Sequence, residues 1–294
     1  MGFAMADTPA TLLDAWLRRQ LSDDRNAWLS ERLEAVRTDN TDKALHIALG
    51  MAPRKLGKAD LDLSAEDLAA ADTARTGWDP RGWSVDQAAR VLILLTAGTA
   101  DAGVPERFAK LCRTADVAEA IALYRGLPLY DQQEALEDIA AEGLRGNIRF
   151  VFEAVAHNNP FPRERFDEHR WNQMVLKALF IDSTLAPMQG LDARANAELA
   201  TILSDYAHER WAAGRPVTPE LWRCLGPFAE GRMLDDLTKV AGEGTDTEVK
   251  AAVLALSASP DPRAKAVLAT VPAVVEQVRS GALTWDTLAA ESKH

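Results

Sequence analysis

Two cysteines in 294 residues, Cys112 and Cys224, leave no disulfide framework for a chain of this size. Both sit in apolar helical contexts, so reduced, buried and inert thiols are expected. Basic side chains are the minority, 33 Lys and Arg against 44 Asp and Glu, for a net charge of -11. That balance excludes the basic stripe a nucleic-acid partner would need, and it opposes docking on anionic lipid, although a local basic cavity stays open. Long hydrophobic runs are also missing. The longest, AARVLILLTAG from Ala88 to Gly98, is too short to cross a bilayer and reads as a buried core helix. The start, MGFAMADTPATLLDAW, has no basic segment leading into a long apolar one, and Ala6 stands where a myristoylation motif wants Ser or Thr. A cytoplasmic protein without direct membrane insertion is expected.

Strand-like alternation appears nowhere, and neither do a G-x-S-x-G elbow, a phosphate-binding G-x-x-x-x-G-K-[ST] loop, a G-x-G-x-x-G turn or a C-x-x-C pair. No cofactor is therefore expected. Helix signals recur instead. Ser84 with Gln87, Asp131 with Glu134, and Thr245 with Glu248 have the form of capping boxes, and Asp261-Pro262 the form of a helix start. Gly98, Gly126, Gly143, Gly214 and Gly231 stand where helices should stop. These marks divide the chain into on the order of fourteen short helices.

The expected fold is all-α, a single domain over residues 1-294 of stacked helix pairs, either a HEAT-like α-solenoid or an irregular α-α superhelix. TDTEVKAAVLALSASPDPRAKAVL, Thr245 to Leu268, has the form of a HEAT-type repeat, and Val117 to Ala156 could be a second pair, without a shared exact period. Residues 52-83, rich in Gly, Pro, Asp and Ala, read as a long excursion before the VLILL helix.

Two segments concentrate hydrogen-bonding side chains. In HNNPFPRERFDEHRWNQMVLKALF, Asn159 precedes a proline and cannot be helical, which puts His157 at a helix end and Asn158 and Asn159 in a turn. In the following helix Trp171, Met174, Val175, Ala178 and Leu179 form the core stripe. His169, Asn172, Gln173 and Lys177 lie opposite, beside Leu176 and Phe180, so Asn172, Gln173 and Lys177 are expected to face a partly enclosed space, lined by other protein groups or by a ligand. In SDYAHERWAAGRPVTPELWR, Leu199, Ile202, Leu203 and Tyr206 form the expected stripe, and Arg210 continues it inward. Asp205, His208 and Glu209 sit on adjacent turns, a spacing open to ion pairing with Arg210, Arg215 or Arg223, to acid-base work, or to metal ligation.

These two segments resemble the EboA family of metabolite-traffic proteins, most strongly over residues 157-223. The resemblance implies a role in making or moving a small secondary metabolite, such as a prenylated cyclitol carried toward the periplasm. It also implies partners from the same pathway: a UbiA-type prenyltransferase, a TatD-like hydrolase, a cyclase resembling dehydroquinate synthase and a sugar-isomerase-like barrel. It brings no catalytic residues. The resulting expectation is a non-enzymatic scaffold or carrier that binds through His157, Asn158, Asn159, Asn172, Gln173, Lys177, Asp205, His208, Glu209 and Arg210, with no metal. The alternative is a pathway enzyme of hydrolase or isomerase type, using His157 or His208 with Asp205 or Glu209, and a divalent metal as an option.

Overall fold

The computed structural model describes residues 7-39, 41-97 and 103-291. Within them the fold is all-α: eighteen α-helices, two 3-10 turns and an isolated antiparallel bridge between Asp60 and Ser84. There are more helices than the sequence suggests because three have only five residues, too short for apolar periodicity to register. Contacts fall into two compact units, Met1–Phe166 and Asp167–His294. The first holds α1 (Pro9–Gln20), α2 (Asp23–Thr38), α3 (Lys43–Leu56), α4 (Ala65–Ala74), α5 (Val85–Ala97), α6 (Val104–Thr114), α7 (Val117–Arg125), α8 (Gln133–Arg145), α9 (Arg149–Ala156) and α10 (Phe161–Arg165). The second holds α11 (Glu168–Phe180), α12 (Ala197–Ala212), α13 (Leu221–Leu225), α14 (Gly231–Glu243), α15 (Asp246–Ala258), α16 (Ala264–Leu268), α17 (Pro272–Arg279) and α18 (Trp285–Glu291).

The first unit is built around α5, the VLILL helix. It is apolar nearly all round and is enclosed by α1, α2, α3 and α7, as a helix with no polar face must be. Two charged residues are carried into this core. Arg90 meets Asp86 at 3.2 Å and donates Nε–H to the Leu49 carbonyl at 3.2 Å, and the Ser84 hydroxyl donates to Asp86 at 2.7 Å. The Ser84 side chain is thereby drawn away from the expected cap, and only the Gln87 half of the box forms, accepting from the Ser84 N–H at 3.2 Å. The excursion over 52-83 is tied at its ends. Leu61 N–H reaches Trp83 O at 2.8 Å and Val85 N–H reaches Ala59 O at 2.9 Å. Trp78 lies between Trp16 and Trp83, with ring centroids at 5.4 and 6.2 Å.

Three helix-end expectations are corrected. Asp131 does not open α8, which begins at Gln133 after Gln132 has turned into the left-handed region, φ 54°. Burial of Tyr130, whose hydroxyl donates to Leu123 O at 3.1 Å, directs the chain there and overrides the local cap. Gly143 lies inside α8 because the Tyr124 ring rests on it, and an added Cβ would come within 2.7 Å of that ring. Gly231 opens α14 at φ 51° instead of closing a helix. Gly98 lies outside the described residues.

In the second unit α15 is the central helix, with Ala251 through Leu256 all buried and α13, α14, α16, α17 and α18 packed on it. Its Thr245–Glu248 capping box forms as the sequence predicts. Asp261 accepts the Arg263 N–H at 2.9 Å, and α16 begins just after, at Ala264. Burial pushes the thiols of both Cys112 and Cys224 up to about 12, so neither is a thiolate at neutral pH.

Candidate functional site

At the end of the first unit, α9 stops at Ala156, and His157 returns its N–H to Glu153 O at 2.8 Å. Asn158 is exposed and takes a positive φ of 50°, a conformation asparagine tolerates. Asn159 is buried. Its Nδ2 donates to Tyr124 O and to Ala154 O, both at 3.2 Å, and its Oδ1 accepts from Phe161 N at 3.0 Å. The two carbonyls lie near the C-terminal ends of α7 and α9, where no intrahelical donor remains. Asn159 thus joins three segments of backbone.

In the second unit, α11 buries Trp171, Met174, Val175, Ala178 and Leu179 as its periodicity predicts, and Asn172 with them. Asn172 forms a reciprocal amide pair with Asn196: Asn196 Nδ2 donates to Asn172 Oδ1 at 2.9 Å, and Asn172 Nδ2 donates to Asn196 Oδ1 at 3.3 Å. Asn196 in turn caps α12 by accepting the Leu199 N–H at 2.8 Å. Asn172, Gln173 and Lys177 therefore do not share a side. Gln173 is exposed, as is Phe180, and Lys177 is half-buried, its ammonium pKa lowered by desolvation. Replacing Asn172 with Ala is expected to cost about 1 kcal/mol of stability in a denaturant titration, because the half-buried Asn196 amide loses one partner and keeps Arg194 O and the Leu199 N–H.

The chain between α11 and α12 is held from the PELWR stretch. Glu220 accepts from Leu185 N, Ala186 N and the Thr184 hydroxyl at 2.8, 3.0 and 2.8 Å. Arg223 grips Asp192 with two bonds of 2.7 Å. Arg223 is therefore not the partner of Asp205 or Glu209. Arg210 is half-exposed, not inward, and its Nε–H donates to Pro216 O at 3.0 Å, closing the turn after α12. The buried side of α12 is Leu199, Ala200, Leu203, Ser204 and Ala207, rotated from the expected stripe. Small residues occupy its centre, while Tyr206 is half-buried, its hydroxyl donating to Leu179 O at 3.3 Å.

Along one edge of α12 stand Ser204, His208 and Trp211, and Arg232, Asp236 and Lys239 repeat that i, i+4, i+7 spacing on α14. The two rows meet rung by rung. Arg232 donates to the Ser204 hydroxyl at 3.3 Å, His208 Nε2 lies 2.9 Å from Asp236 Oδ2, and Lys239 Nζ sits 5.3 Å from the Trp211 ring centroid. A constant separation of 28 residues means the two helices run parallel and in register here. Asp236 is buried, with the Ser204 hydroxyl a further 3.5 Å from the same oxygen. A carboxylate has no proton to give, so Nε2 carries a hydrogen, and in the neutral imidazole Nδ1 is left as an acceptor. The His208 side chain is 42% exposed. Trp211 stands edge-on to it at 5.4 Å and is backed by Trp222 at 5.8 Å. Asp205 pairs with Arg232 at 2.6 Å, both exposed, and Glu209 is exposed.

A family model described as metabolite traffic protein EboA matches residues 10–226, most of the chain. This chain belongs to the EboA family. No curated protein and no solved structure matches it. The EboA match covers both motif segments but ends before α14, the helix that supplies Asp236 and Lys239. Among the described residues no three His, Cys, Asp or Glu side chains are grouped to hold a metal ion, Asp205, His208 and Glu209 included. Asp236 could have been found from the sequence: it lies three residues after Met233 and four before Val240, on the edge of the apolar stripe of α14. Its pairing with His208 had no local signal.

Proposed function

We propose that this EboA-family protein is a non-enzymatic cytoplasmic carrier or scaffold for a small polar metabolite, with the α12–α14 edge as its ligand contact. The observation that carries this reading is the half-exposed His208, fixed from behind by the buried Asp236 at 2.9 Å. An interhelical tie alone needs no exposed ring. Here the half-exposed ring stands beside an indole that also carries an ammonium, a grouping that suits a polar ligand. The family's traffic role supplies the class of cargo. In the second unit the exposed or half-exposed motif side chains Gln173, Lys177, Asp205, Glu209 and Arg210 are proposed as further contacts for the metabolite or for a pathway partner such as a UbiA-type prenyltransferase; in the first unit His157 and Asn158 are proposed, by themselves, as a contact for such a partner. Asn159 and Asn172 are proposed as the frame that holds them.

The test is native mass spectrometry of the protein purified from its own cells. A small organic molecule should be retained by the wild type and reduced about tenfold in His208→Ala, the effect of one lost polar contact. Equal retention in both would overturn the assignment. The His208–Asp236 distance also favours a second reading, an enzyme in which His208 is the general base and Asp236 takes the orienting role. That reading requires the wild type, but not His208→Ala, to convert the retained molecule into a second mass.

A further inference from the structure

Resting on the carrier reading, we infer that the ligand of this edge is a hydroxylated organic anion, its hydroxyl donating to His208 Nδ1 and its carboxylate or phosphate meeting the Lys239 ammonium. The rungs end differently. Arg232 is neutralised by Asp205. On neighbouring helices Arg263 is neutralised by Asp261 and Asp235, Lys250 by Asp246 and Glu291, and Arg223 by Asp192. Lys239 has no carboxylate partner among the described residues and lies over Trp211 instead. Asp235 and Glu243 stand one turn before and after it on the same helix, where i, i+4 pairing is open to it. In a chain with a surplus of acid, an exposed lysine resting on an indole keeps its charge available for an outside anion.

The middle rung adds a constraint of opposite polarity. In the neutral imidazole Nδ1 needs a donor, and an anionic oxygen has no hydrogen to offer. An ammonium group could donate, but Lys239 and Arg232 oppose a second cation at the same edge. A hydroxyl remains. Lys239 is three residues beyond Asp236, about 4.5 Å along the helix axis, so the hydroxyl and the charged group belong to one small skeleton. The exposed part of Trp211 offers its carbons an apolar contact. Polyol phosphates and hydroxy carboxylic acids share this chemistry.

Calorimetric titration of the full-length protein separates them. The probes are glycerol 3-phosphate and glycerate, which carry both groups, inorganic phosphate, which has no carbon-borne hydroxyl, and glycerol, which has no charge. Glycerol 3-phosphate or glycerate should bind more tightly than phosphate or glycerol, and the better of the two assigns the anion. Lys239→Met should weaken that binding roughly tenfold, and His208→Phe should remove the advantage over the anion lacking the hydroxyl. No binding of either hydroxylated anion, or binding unchanged in Lys239→Met, overturns the inference. A cargo found by native mass spectrometry that lacks an acidic group would overturn it while leaving the carrier reading in place. An empty chain that still binds glycerol 3-phosphate would support the site chemistry and count against the carrier.

Discussion

Asn159→Ala is expected to lower the free energy of unfolding by about 3 to 5 kcal/mol, among the larger effects of any single substitution in this chain. The side chain is 2% exposed and satisfies three backbone groups, the carbonyls of Tyr124 and Ala154 and the N–H of Phe161. Each buried group left without a partner costs about 1 to 3 kcal/mol, and water entering the vacated space recovers part of that. Asn159→Asp sharpens the test. It keeps the acceptor for Phe161 but sets a carboxylate against two carbonyl oxygens, so it should be no better than alanine. Urea titration of the two variants measures both losses. A loss below about 1 kcal/mol would show that the amide is not needed by the fold and would return Asn159 to the ligand-contact group.

This separates two roles that the motif had merged. HNNP and WNQM place many amides close together in the sequence, and an amide looks the same whether it binds backbone or a metabolite. What the sequence expressed well was what depends on near neighbours. The apolar run of α5, the stripe of α11 and the Thr245 cap are all set by residues within two turns of one another, and all appear where expected. What it expressed poorly depends on distant partners. Tyr130 redirects the chain ahead of α8 because its hydroxyl finds Leu123. The stripe of α12 is turned because small residues, Ala200, Ser204 and Ala207, mark its buried side, whereas large side chains dominate a hydrophobic pattern. His208 was legible as a candidate, but its orienting acid stands 28 residues away on another helix, not at Asp205 or Glu209 on its own.

Arg90→Ala is expected to cost about 3 to 5 kcal/mol, because it leaves the carboxylate of Asp86 in the core of the first unit without its cation. The two side chains are 2% and 4% exposed and meet at 3.2 Å, so water cannot take over from the guanidinium. The Leu49 carbonyl loses its donor in the same step. Against this stands the desolvation that the native pair already bears. Two charges withdrawn from water recover their hydration only through one another and a few hydrogen bonds, here Ser84 to Asp86 and Arg90 to Leu49. Replacing both together, Asp86→Leu with Arg90→Met, should therefore bring stability back to within about 1 to 2 kcal/mol of the wild type. If the double variant is as unstable as Arg90→Ala alone, the loss comes from the shape and hydrogen bonding of Arg90 and not from the orphaned charge. If it is restored, the ion pair contributes little net stability. Its place in the core then follows from the one strict demand it makes, that α5 set Asp86 and Arg90 one turn apart, with Arg90 reaching Leu49 at the middle of α3.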